Sequence, residues 1–439
     1  MTRFRSLPVL AVRRMLGNWR LLSSVVVGTL VAAAILSATA VYADAIRDLG
    51  LQYALRQRTA AALDVSVITS NVNVSAAAYQ RGNARQDGAT TAALHGTAGG
   101  VVRIATSATL FAAAAGARPD TADDARPRAN LVARDALQDH VDVVQGALPA
   151  PMARGANGPI AIAVGEETAK RQRLGVGSTL DLFPFWNAEA RPLRVQVAGI
   201  VRAKDPTHRY WGTDPTGVDV VGTTWPSLHL FIPDATFFGA VAERVPSMSA
   251  DYENRYLVRT DVLNARIALP IAQALAGLQG QLSTVESRPT ITSNLEEVLR
   301  SFDEKLFFTR IPLLVLLLQI GGIVGYYLVM VSTMLIERQA AEIATLRSRG
   351  ATTGQLLAQY GVEGAILALL ALLAGPPIAA AVVSSLGPTP AFAALSGGRA
   401  LTVTIGSGAY LLAAAGALLA FVSLTIPAWR ATRVSVLLF

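Results

Sequence analysis

The sequence predicts an α-helical membrane protein with four transmembrane helices and an α+β extracytoplasmic domain inserted between helices 1 and 2. Three observations carry that prediction. Residues 21–43, 311–336, 364–398 and 400–429 are uncharged runs of 23, 26, 35 and 30 residues, and about 20 apolar residues suffice to cross the hydrocarbon as a helix. Between Asp44 and Arg310 the chain has 27 Lys+Arg and 27 Asp+Glu, so the whole net charge of +8 comes from the remaining segments. Those basic residues are distributed unevenly. Arg3, Arg5, Arg13, Arg14 and Arg20 precede the first run, Arg338, Arg347 and Arg349 lie between the second and third, and Arg430 and Arg433 follow the fourth. Only Arg399 lies between the third and fourth. Because cytoplasmic flanks are enriched in Lys and Arg, both termini are expected inside and residues 44–310 outside.

The elements follow in order. In residues 1–20, Ser6 can cap a short helix with Pro8 in its first turn, and Val9, Val12, Leu16 and Trp19 share one face, as in a helix lying on a membrane surface. The first span covers 21–43. Ala38-Thr39-Ala40 resembles a signal-peptide cleavage site, but the apolar run exceeds the usual signal length, so retention is expected. In 44–310, β-branched patterns predict strands at 64–70, 159–164, 179–183, 193–201, 217–221, 228–232 and 256–259. Helices are expected at 44–63, 166–173, 234–243 and 261–278, and a loop or hinge at 116–128. Ser293-Asn-Leu-Glu296 reads as a capping box opening a helix toward the second span, 311–336, where Pro312 predicts a kink or a fresh start. Gly321 and Gly325 give that span a face for close helix contact. A short cytoplasmic helix is expected over 337–352, ended by Gly350, and Thr352 with Gln355 forms a second capping box. The third span covers 353–386, with a kink expected at Pro376-Pro377; an outer loop fills 387–400, the fourth span 401–429 and a cytoplasmic tail 430–439.

Composition excludes several kinds of chemistry. Hydrophobic residues make up 52% of the chain and charged ones 15%, against about a quarter charged in an ordinary globular domain. There is no cysteine, and the four histidines have no ligand spacing, so no metal site is expected. The excess positive charge lies beside apolar runs, which argues against a nucleic-acid face. No Gly-Lys dipeptide occurs, so the phosphate loop of an ATPase is missing, and neither a Gly-x-Ser-x-Gly elbow nor a His-Glu-x-x-His motif is present. Leu395-Ser-Gly-Gly-Arg399 looks like an ABC ATPase signature but falls in the expected outer loop. No catalytic residue is assigned, and no cofactor is expected in this chain. The aromatics Phe185, Trp186, Tyr210 and Trp211 are candidates for a substrate-facing rim, although aromatics beside strands more often pack in a core.

The segment after the second span is the most specific. Glu337-Arg338, Glu342-Ile343, Leu346-Arg347, Arg349-Gly350-Ala351, Gln355 and Glu363 resemble the FtsX-like permease module of ABC transporters, as does the tail Pro427-Ala-Trp-Arg430 with Arg433. Glu166 to Lys170, Leu174 to Leu180 and Val195 to Val201 are similar to the MacB-like periplasmic core domain, and Asp205-Pro206 with Tyr210-Trp211 to a loop of long permeases in that group. The resemblance implies that Glu337, Arg338, Glu342, Leu346, Arg347, Arg349 and Gly350 belong to a coupling helix that contacts a separate ABC ATPase subunit. ATP and Mg would be bound on that partner. Without the resemblance, a solvated turn between spans fits these residues better. Glu363 lies about 16 Å along the third span from Thr352 at 1.5 Å per residue, where a bare carboxylate is costly; a structural tie to the coupling helix is expected ahead of a proton relay. The implied protein is a permease subunit in a bacterial inner or plasma membrane, working as a homodimer or with a second permease. It would export or extract a lipid, lipoprotein, peptide or drug, in contact with membrane lipid and an extracytoplasmic partner protein. The alternatives are a non-transporting subunit that activates a cell-wall hydrolase and a membrane-anchored sensor.

Overall fold

The computed structural model describes residues 19–120, 126–187, 189–213, 217–219, 227–283, 288–338, 345, 348, 352–390, 392–393 and 398–433. The segment expected at 1–20 lies outside these except for its last two residues. The chain divides into two compact units, Met1–Tyr53 with Glu304–Phe439, and Ala54–Asp303. The first helix, α1 (Trp19–Arg56), continues past the apolar run that predicted it, because nothing between Asp44 and Arg56 breaks a helix.

The unit Ala54–Asp303 is α+β. Its elements are β1 (Val65–Asn73), α2 (Ala76–Ala93), β2 (Ala98–Ser107), β3 (Leu110–Ala114), β4 (Arg128–Arg134), β5 (Val141–Gly146), β6 (Ile160–Gly165), α3 (Glu166–Gln172), β7 (Thr179–Pro184), β8 (Leu193–Ala203), β9 (Ser227–Phe231), β10 (Ser249–Val258), α4 (Ala265–Leu282) and β11 (Thr290–Thr292). The sheet runs β11-β1-β10-β2-β4-β3-β7-β8-β6-β9, with β5 also on β8. A parallel pairing of β4 with β9, Arg128 opposite Ser227 through Val132 opposite Phe231, brings the path back on itself. Six strands, β4-β3-β7-β8-β6-β9, therefore close into a small barrel, and closure removes their free edges. Alternate residues fill it: Leu110, Leu131, Ile160, Ile162, Leu182, Val195 and Leu230 belong to one buried cluster. Strands β11, β1, β10 and β2 form an antiparallel layer on which α2 and α4 pack.

Six of the seven strands expected from the sequence have a counterpart here; at 217–221 the described residues 217–219 form a turn. Strands β2 to β5, β11 and helix α2 were not foreseen. Ser293 accepts a bond from the Leu295 amide at 3.0 Å, but the helix it opens starts at Leu295, so the expected reciprocal box with Glu296 is not the one formed.

The other unit packs α1 with α5 (Leu295–Arg338), α6 (Thr353–Ser384) and α7 (Ser407–Arg433). Helix α5 passes through Pro312 without a fresh start, and α6 through Pro376 and Pro377 without a break. The seams are made of small residues. Ala33, Ala371 and Ala417 form one buried cluster, and a Cβ on Gly416 would stand 3.3 Å from the Cα of Ala33. Large apolar residues point away: Leu318 is 76% exposed, Ile323 70% and Leu411 69%. In water this inside-out arrangement would be an aggregation surface, whereas in lipid, where helices associate through small-residue contacts, it is the stable one. Two helices, Val25–Arg56 and Thr353–Ser384, are long and apolar enough to cross a membrane; Leu318–Met334 and Ser407–Ser423 are shorter apolar stretches. Residues 401–406 are not helical, so α7 begins six residues later than the sequence predicted. Leu401 is the reason: its amide bonds to the Ser384 carbonyl, and its carbonyl accepts from the Ser384 hydroxyl, both at 3.1 Å, tying the incoming chain to the end of α6.

Candidate functional site

The end of α5 and its connection to α6 carry the residues expected to form the coupling helix. Glu337 and Arg338 end α5, while Glu342, Leu346, Arg347, Arg349 and Gly350 lie outside the described residues. Thr345 and Ser348 are helical and exposed, and the Ser348 hydroxyl donates to the Thr345 carbonyl at 2.8 Å. The box at the start of α6 is formed in both directions. The Gln355 amide donates to Thr352 Oγ1 at 3.3 Å and the Thr352 amide to Gln355 Oε1 at 3.1 Å, which satisfies two of the donors a helix start leaves open.

Three turns into α6, Glu363 is buried at 6% exposure. Beside it, a Cβ on Gly364 would meet Phe421 of α7 at 3.1 Å. Two residues after Phe421, Ser423 faces Ser332 of α5 with hydroxyls 3.3 Å apart, both buried. Gly321 and Gly325 contact different helices of the same chain. A Cβ on Gly325 would meet Leu419 of α7 at 3.2 Å and one on Gly321 would reach Leu36 of α1 at 4.0 Å. The glycine face is used within the chain.

In the α+β unit the four candidate aromatics separate. Tyr210 and Trp211 are 2% and 3% exposed, which corrects their reading as rim residues. They belong to a short turn, Arg209–Trp211, clamped from three sides. Arg134 of β4 lies over both rings, 4.5 Å from the Tyr210 centroid and 4.9 Å from that of Trp211, and donates to the Tyr210 carbonyl. His140 stacks on Tyr210 at 3.7 Å and the Tyr210 hydroxyl donates to the Asp135 carbonyl at 2.7 Å. Arg209 pairs with buried Asp64. Gly212 then takes φ +80° with the Arg255 guanidinium where a side chain would begin, so only glycine fits. Burial pushes the Tyr210 phenol up to about 12 and lowers Arg134, while burial and then nearby His208 lower His140. His140 and His208, 68 positions apart in sequence, have ring centroids 5.1 Å apart. Among the described residues no group of three or more His, Cys, Asp or Glu could hold a metal ion.

Phe185 and Trp186 are exposed, 55% and 37%, on the β7–β8 hairpin, with rings edge-to-face at 5.2 Å. Below them Asp181, buried, accepts from Arg194 Nε and Nη2 at 2.8 and 2.9 Å and from the Gly116 amide at 2.8 Å; Arg194 foremost holds its carboxyl below the usual range.

Residues 314–436 match the FtsX-like permease C-terminal family. The matched segment is similar to that family's permease domain. Among solved structures, the chain is similar to the periplasmic region of MacB from Actinobacillus actinomycetemcomitans, at 15% identity and a TM-score of 0.26, over 54% of this chain and 92% of that one. It is likewise similar to a domain of a proposed permease from Porphyromonas gingivalis, at 11% identity and a TM-score of 0.26, over 52% of this chain and 86% of that one. No curated protein matches.

One acidic pair lies within the α+β unit. Asp234 is pushed up to about 6, by burial first and then by the charge and hydrogen bond of Asp135. A carboxyl whose folded pKa exceeds its unfolded value of 3.8 favours the fold fully below that value and loses the contribution as pH rises through about 6. Asp234→Asn is therefore expected to raise the melting temperature of the purified chain at pH 8, with the gain fading to nothing by pH 4. An equal gain at both pH values would show that the cost of ionising Asp234, buried beside Asp135, is not the cause.

Proposed function

We propose that this chain is the membrane subunit of an ABC-type permease: all four apolar helices span the membrane, both termini are cytoplasmic, and an extracytoplasmic α+β domain is inserted between the first two spans. The observation that supports this best is the FtsX-like domain occupying a bundle with small residues inside and large apolar residues outside. A separate ATPase would bind ATP and Mg and dock on the segment Glu337 to Gly350, and closure of the ATPases would push that segment. Spans one and two would carry the motion to the outer domain, which would extract or export an apolar cargo. Four spans form half of such a unit, so a second copy or a second permease completes it. Glu363 and the Ser332–Ser423 pair give the bundle a buried polar layer in its α6 and α7 seams, and a carboxylate at that depth favours one fixed helix arrangement.

The test begins with co-purification of an ATPase with the tagged chain from its own host. Leu346→Asp places a charge in the apolar face of the proposed docking helix and leaves the Thr352 cap intact. The expected result is an ATPase rate no higher than that of the ATPase alone, with the yield and elution volume of the variant unchanged. Full stimulation by the variant would place the docking surface elsewhere.

A further inference from the structure

Beside the β7–β8 hairpin lies a cavity of about 670 Å³, within the usual range of small-molecule sites, roughly 300–1,000 Å³. Its wall carries Arg191, Arg194 and Arg244 against Asp181 and Glu243, a formal excess of one positive charge. Both acids are already engaged. Asp181 is held by Arg194 and the Gly116 amide, and Glu243 accepts from the Gly155 amide at 2.7 Å. Arg244 is spent on the floor, donating to the carbonyls of Ala156 at 2.7 Å and Gly158 at 2.9 Å, which fixes the 155–158 loop. Arg191 is different: it is exposed on the wall and close in sequence to Arg194, whose bond to Asp181 holds it in one orientation. The Nε and Nη2 of Arg194 are taken by Asp181, which leaves its Nη1 to add one donor beside Arg191, whose guanidinium can grip a phosphate or carboxylate bidentately.

The same hairpin carries the second half of a ligand's chemistry. Phe185 and Trp186 project from its other arm, and the Trp186 indole N–H donates to Ser247 Oγ at 3.3 Å, two residues beyond the cavity-lining Val245. That bond ties the aromatic pair to the segment that forms the cavity wall. The pair presents adjoining apolar surface to solvent, 55% and 37% exposed, beside the cavity wall. A bare oxyanion would fill a small part of the cavity and leave the aromatics uncovered.

We propose that the cavity and its hairpin bind an anionic amphiphile, with the phosphate or carboxylate headgroup at Arg191 and Arg194 and the apolar chain against Phe185 and Trp186. As a binding site this stands alone; as the place where cargo is loaded it rests on the permease reading.

The full chain in neutral detergent, without ATPase or nucleotide, is titrated calorimetrically with octyl phosphate, octyl glucoside and inorganic phosphate. The expected result is saturable binding of octyl phosphate, at least tenfold weaker binding of the other two, and a tenfold or greater loss for octyl phosphate in Arg191→Glu. Because Arg191 is exposed, that variant keeps the fold, and an unchanged melting temperature confirms it. Phe185→Ser should weaken octyl phosphate and leave inorganic phosphate unaffected. Octyl phosphate binding equally to the parent and to Arg191→Glu, or no binding at all, overturns the site. Inorganic phosphate binding as tightly as octyl phosphate overturns the amphiphile and leaves a simple oxyanion site. Since no ATPase is present, these outcomes are independent of the coupling test with Leu346→Asp.

Discussion

Ala33→Leu is expected to abolish the folded state of the helical unit, although it makes the first span more hydrophobic. Ala33 is fully buried. A Cβ on Gly375 would stand 3.1 Å from its Cβ, and one on Gly416 3.3 Å from its Cα, so α6 and α7 both approach the α1 backbone at this level. Three further carbons have nowhere to go, and the neighbours that would have to yield are main chain, not side-chain tips. Overpacking in a soluble core costs about 1–3 kcal/mol, and here two helices must move together, which puts the effect at the upper end. The contrasting substitution is Val31→Leu, two residues earlier at a position 49% exposed, where an added methylene has room outside the bundle. The measurement is the thermal stability and elution profile of each variant in detergent. The expected outcome is aggregation or loss of yield for Ala33→Leu and parent-like behaviour for Val31→Leu. If both behave like the parent, the small-residue seam is not what holds α1.

That contrast also explains what could be read from the sequence. Hydropathy located the apolar helices because their long runs are uncharged and mostly apolar, but the same uniformity hides their packing: nothing in the run around Ala33 distinguishes an inward alanine from an outward valine. Capping chemistry was legible at Thr352, where a polar residue precedes an apolar run, and the reciprocal bonds with Gln355 are formed. It was misleading at Ser293, whose hydroxyl takes the Leu295 amide while the Asn294 amide is drawn to the Ala62 carbonyl. Strands β6 to β9 showed themselves through Val, Ile and Leu at alternate positions. Strand β3, Leu-Phe-Ala-Ala-Ala, did not, because alanine has no strand preference and only pairing with β4 and β7 makes it one. Helix α2 has no apolar stripe, since most of its surface faces water. The hairpin aromatics Phe185 and Trp186 and the buried pair Tyr210 and Trp211 are identical in kind to a sequence reader. Contacts distant in sequence separate a core role from a surface one: the Arg134 guanidinium, 76 positions from Tyr210, the His140 ring and the apolar cluster that includes Val102, Val132 and Val201.

Arg209→Leu is expected to destabilise the α+β unit by about 3–5 kcal/mol, the range for removing one partner of a buried ion pair. The Asp64 side chain is 1% exposed and that of Arg209 27%, so the carboxylate is the group stranded by the change. Its remaining bond is from the Val258 amide at 2.9 Å. Arg209 also donates to the Val258 carbonyl at 3.1 Å, so its loss frees the Arg209–Trp211 turn from the end of β10 as well. Burial already raises the Asp64 pKa in the parent, against the pull of Arg209 and the Val258 amide. Without Arg209 it rises further. An acid raised in this way supports the fold fully below its unfolded pKa and loses that support as pH increases through the folded value. The deficit of Arg209→Leu should therefore be largest at pH 7–8 and shrink steadily toward pH 4, as the carboxyl takes up its proton. Combining it with Asp64→Asn removes the stranded charge and keeps an acceptor for the Val258 amide, so the double variant should recover most of the loss at pH 7. Thermal unfolding of the four proteins across that pH range distinguishes the causes: a deficit that is the same at every pH, and is not relieved by Asp64→Asn, would assign Arg209 to packing of the turn instead of to the charge of Asp64.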